Sequence, residues 1–116
     1  MIGLKLFAEL MDDLPNGHPG CMVATIAYQD RLFDAEVREL NRQAVLSWRA
    51  HFLAELEAVA ERYPPKMPVD LVALADLMST TIEGGIVLSK ALGEPKLLGQ
   101  QVMLQRAYVK LLFSPA

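Results

Sequence analysis

The chain has 116 residues, 53% of them hydrophobic and 22% charged, with a net charge of −3. Its 11 Lys and Arg form no basic run, which excludes the positive stripe needed to bind nucleic acid or an anionic membrane surface. One cysteine, Cys21, excludes an intrachain disulfide and a small secreted scaffold; a reducing, cytoplasmic setting is expected.

Residues 2–13 carry Leu4, Phe7, Ala8, Leu10 and Met11 at helical spacing. The pattern stops at Pro15-Asn16-Gly17-His18-Pro19-Gly20, the densest turn cluster. No capping residue precedes this first helix, which reads as an element entered partway through a longer protein. A short, almost uncharged helix over 21–29 follows, expected to be buried all round. A strand is its rival, because Val23, Thr25, Ile26 and Tyr28 have β propensity.

The clearest helix covers 34–63. Asp34 caps it, and Val37, Leu40, Ala44, Trp48, Phe52, Leu56, Val59 and Tyr63 form a stripe with every step three or four residues. Pro64-Pro65 ends it. Asp70 caps a fourth helix reaching Leu92, where Gly93 supplies a left-handed stop. Pro95 fits the first turn of a fifth helix over 95–113. No stretch approaches about 18 uncharged apolar residues, since Asp76, Glu83 and Lys90 punctuate the most apolar region. No transmembrane span is expected.

The fourth helix contains Gly84-Gly85. Each glycine in a helix interior costs about 1 kcal/mol relative to alanine, so something is expected to approach this backbone closely. Leu77, Thr81, Gly84, Leu88 and Ala91 share one face at helical spacing. A small-residue patch flanked by leucines suits packing against an identical patch across a two-fold axis. A glycine kink in an ordinary core helix is the alternative. Glu83, at the edge of this patch, reads as a solvated carboxylate or as the partner of a cation across the interface.

Little points to catalysis. Cys21 sits where a helix amino terminus would lower its pKa, but no histidine adjoins it. Ser47, Ser79 and Ser89 lie in no nucleophile elbow, and no phosphate-binding glycine loop is present. His51 and Glu55 share a helix face, fewer ligands than a metal site needs, and His18 falls in the turn cluster. No enzyme, metal or cofactor is expected.

The order of segments is informative. Gly20-Cys21-Met22-Val23-Ala24 precedes a long helix with Trp48-Arg49. After the proline break come Glu83-Gly84-Gly85-Ile86-Val87-Leu88-Ser89, Ala91-Leu92-Gly93-Glu94-Pro95 and a terminal Tyr108-Val109-Lys110-Leu111-Leu112-Phe113. Over residues 19–113 this resembles the carboxyl-terminal half of tetracycline-repressor (TetR) family transcriptional regulators. The resemblance implies a small-molecule ligand domain that dimerises, with helices 70–92 and 95–113 pairing with those of a second copy as a four-helix bundle. It places Leu104, Tyr108 and Leu111 beside Leu77, Thr81, Gly84 and Leu88 in the dimer interface. It also implies a pocket lined by Thr25, Tyr28, Trp48, Phe52, Met78 and Ile82, taking a small, mainly hydrophobic ligand. The sequence holds no helix-turn-helix, so DNA would be reached only through an amino-terminal domain it lacks.

The sequence therefore predicts an all-α, five-helix single domain, homodimeric through its last two helices. A ligand-free homodimeric interaction module is the alternative function. A sensor should enclose an apolar cavity between helices 21–29, 34–63 and 70–92, whereas a scaffold should be packed solid there.

Overall fold

The computed structural model of this protein describes residues 21–114. The expected helix over 2–13 and the turn cluster at 15–20 lie outside the described residues. Those described are all-α, with four α-helices and no strand. α1 spans Met22–Tyr28, and one 3-10 turn follows at Asp30–Leu32. α2 spans Ala35–Arg62, α3 Leu71–Leu92 and α4 Leu97–Phe113.

The helix ends follow side-chain chemistry. The Asp34 carboxylate accepts from the Val37 N–H at 2.9 Å, and that of Asp70 from the Val72 and Ala73 N–H groups at 2.9 and 3.3 Å. Each cap satisfies donors that the first helical turn leaves open, an effect of about 1 kcal/mol. Gly93 closes α3 at φ 66°, where any side chain is strained. Its N–H and that of Glu94 both bond the Ser89 carbonyl, which turns the chain sharply into α4. Pro95 therefore lies in the connecting turn, and α4 starts two residues later than its proline suggested.

The helices stack in chain order, α1 on α2, α2 on α3 and α3 on α4. The core lies chiefly between α3 and α4. Leu74, Ala75, Met78 and Ile86 of α3 meet Leu98, Val102, Val109, Leu112 and Phe113 of α4, and α2 adds Leu56. Fully burying such a side chain contributes about 1.5–3 kcal/mol. Only the second half of α2 reaches this core, so Leu40 stays 64% exposed while Leu56 is completely buried. α1 has no buried residue, contrary to the expectation that it is buried all round, because among the described residues it packs chiefly on α2.

Two residues fix how closely α3 and α4 approach. A Cβ on Gly85 would fall 2.7 Å from Leu98 Cδ1 and 3.3 Å from Leu98 Cα, so any side chain there would displace the Leu98 side chain and press on the α4 backbone. One turn on, the buried Ser89 hydroxyl oxygen accepts the Leu98 N–H at 3.1 Å. It thus supplies from α3 the amino-terminal cap that α4 lacks in its own sequence.

Candidate functional site

Gly84 behaves differently from its neighbour. It is exposed, and a Cβ there would meet nothing within 4 Å. At about 100° per residue, every α3 residue from Ala73 to Ala91 projecting within ~60° of Gly84 is uncharged. Leu77 and Leu88 on this stripe are 40% and 49% exposed. Thr81 is half-buried at its edge, and Val87 and Ala91 extend it.

α4 carries a matching stripe. Leu104, Tyr108 and Leu111 are 65%, 42% and 69% exposed. The four-residue turn makes α4 antiparallel to α3, and the Leu98 contact with Gly85 fixes its rotation. Helical geometry then turns Leu104, Tyr108 and Leu111 to the same side as Gly84. The seven residues expected at a dimer interface thus form one two-helix apolar face. Sequence reasoning omitted Val87 and Leu92, also exposed, though their spacing from Gly84 and Leu88 carried the signal.

α3 is the most apolar of the three long helices. It is long and apolar enough to cross a membrane, with mean hydropathy 1.6, yet only 28% of its apolar window is buried within the chain. Its charges gather on the flank toward α2. There Arg49 donates from Nε and Nη2 to the two carboxylate oxygens of Asp76, both at 2.9 Å. This fork joins residues 27 positions apart, beyond the reach of local patterning. The Arg49 hydrogen bonds hold the Asp76 carboxyl below its usual value of 3.8, against a smaller opposing effect of desolvation. A carboxyl lowered by folding stabilises above its unfolded pKa, and the benefit disappears as pH falls through the folded value. Thermal unfolding of the wild type is thus expected to become acid-sensitive below about pH 4, and less so for Asp76→Asn. Parallel melting curves for the two from pH 5 to 2.5 would contradict this.

The six residues expected to line a pocket do not come together. Met78 is 1% exposed in the core, with Phe52 and Ile82 packed against the same cluster. Trp48 is half-buried on α2. Tyr28 is 79% exposed on α1. Thr25 is also exposed, its hydroxyl donating to the Cys21 carbonyl at 3.1 Å. An open groove of about 510 Å³ lies elsewhere, between the carboxyl-terminal ends of α2 and α4, and none of the six lines it.

Cys21 does occupy the amino-terminal cap position of α1, but its thiol is not activated. Burial raises its pKa, and Glu83 adds to the rise, outweighing the backbone N–H groups of Val23 and Ala24. The thiol is therefore protonated at neutral pH, the form that does not attack. Glu83 is half-buried against Cys21 rather than solvated, and its Oε2 has no partner among the described residues. His51 and Glu55 meet at 3.4 Å on an exposed face of α2. No family model, no curated protein and no solved structure matches this chain.

Proposed function

We propose that this chain is the dimerisation and ligand-sensing domain of a TetR-like transcriptional regulator, acting as a homodimer through α3 and α4. One observation carries the reading. Gly85 is explained inside the subunit by Leu98, whereas Gly84 meets only open space amid an uncharged stripe. A glycine that weakens its helix by about 1 kcal/mol with nothing against it fits a surface that a second molecule covers. An isologous interface brings such a residue against its own copy near the two-fold axis.

In this reading a ligand biases the packing of α2 against α3, and the dimer shares that bias between its two subunits. Support for the sensing part is the sequence resemblance alone. The second reading, a homodimeric module without ligand, is favoured by Met78 being packed in the core while Thr25 and Tyr28 face outward. Both readings require the same dimer.

The test is a Cys21→Ser chain carrying Gly84→Cys. Cysteines bridge only when their Cα atoms lie about 4.4–6.8 Å apart. Mild oxidation is expected to give a covalent dimer at position 84, and none when Ala54→Cys on the exposed face of α2 replaces it. Equal yields at the two positions would overturn the proposed interface.

A further inference from the structure

We propose that the groove between the carboxyl-terminal ends of α2 and α4 binds a monoanionic amphiphile, a carboxylate bearing an alkyl tail. The site stands apart from the α3/α4 face. Val109 and Phe113, buried at its floor, project from α4 more than about 90° away from Tyr108. The groove therefore stays open in the dimer, and its occupancy does not depend on dimerisation.

Its volume, about 510 Å³, falls within the roughly 300–1,000 Å³ of small-molecule sites. Ala58 and Val59 supply an apolar wall from α2. Both ionisable side chains with fixed charge on the lining are cations, Arg62 and Lys110, and no carboxylate joins them, although the chain as a whole is acidic. Arg62 lies 5.5 Å from the centre of the Tyr63 ring, which holds it beside the apolar wall. Neither cation forms an ion pair among the described residues.

The two helix ends oppose an anion, each with about half a negative charge. Arg62 and Lys110 stand in the last turns of these same helices and offset that effect. The carbonyls there are also partly engaged. Leu112 O accepts the Lys66 N–H at 2.8 Å, Val59 O accepts the Tyr63 N–H at 2.8 Å, and Leu111 O accepts the Ser114 hydroxyl at 3.2 Å. An apolar floor with two cations and no carboxylate on its lining is complementary to a carboxylate on a hydrocarbon chain, not to an amine.

The test titrates the full chain with decanoate below its micelle concentration, with 1-decanol and decyltrimethylammonium as neutral and cationic controls. Amide NMR shifts provide the readout. Decanoate is expected to produce saturable shifts centred on Arg62, Tyr63, Lys110 and Ser114. The double variant Arg62→Gln/Lys110→Gln is expected to weaken decanoate at least about tenfold, as loss of charge-assisted bonds does, and to leave decanol unchanged. Ala58→Trp, on the exposed wall, should remove decanoate binding while keeping the melting temperature. The proposal is overturned if either control binds as tightly as decanoate, if Ala58→Trp leaves the affinity intact, or if the shifts fall on Gly84, Leu104 and Tyr108 instead.

Discussion

Gly85→Val is expected to destabilise the subunit by about 3 kcal/mol, the upper part of the range for overpacked cores. Even its Cβ would fall 3.3 Å from the Leu98 Cα. Backbone cannot swing aside as a side-chain tip can, and the valine adds two further methyl groups beyond that point. α4 must move outward, which strains the Ser89 hydroxyl bond to the Leu98 N–H. The melting temperature should fall by roughly 10–20 °C for a domain of this size. Gly84→Ala, one residue earlier, meets open space and should gain about 1 kcal/mol of helix propensity in the isolated subunit. Chemical denaturation of the two variants at low protein concentration checks the contrast. Equal effects of the two substitutions would mean that α4 does not pack on Gly85 as described.

Gly84→Leu is expected to abolish the dimer while the subunit remains folded. The side chain has space in the isolated subunit, so it should not disturb the Leu56–Met78–Leu98 core. In the dimer it would stand where two helices approach most closely, holding the apolar stripes apart. The helical circular dichroism should be kept and the mass halved. A variant that stays dimeric would place the interface elsewhere. One that unfolds would mean that Gly84 faces its own subunit.

The helices were legible because their ends are written in local chemistry. Asp34, Asp70, Pro64-Pro65 and Gly93 act within one turn of where they stand, and the structure uses each as the sequence suggests. The apolar face was legible too, since Leu77, Gly84 and Leu88 lie on one side of a helix by spacing alone. What escaped depends on distant segments. The two glycines look alike in sequence; only the position of Leu98 shows that Gly85 touches α4 and Gly84 does not. The Arg49–Asp76 fork joins two helices, and the groove exists because two helix ends far apart in sequence meet. Cys21 was placed at a helix start as expected, but its pKa moves up, not down, because burial outweighs the nearby N–H groups.

The large exposed area of α3 makes a further demand. An 18-residue apolar window with 28% of it buried needs a covering surface in water. In the proposed dimer a twin molecule would supply one, with Leu77, Leu88, Leu104 and Leu111 packing on the partner's matching stripe.

Sedimentation equilibrium of the wild-type chain from about 1 to 100 μM, a span that brackets dimer affinities near −8 kcal/mol, tests this most directly. Twice the subunit mass of 12.8 kDa is expected at the upper concentrations. A single species of subunit mass throughout, or a protein that leaves solution only for lipid vesicles, would contradict it.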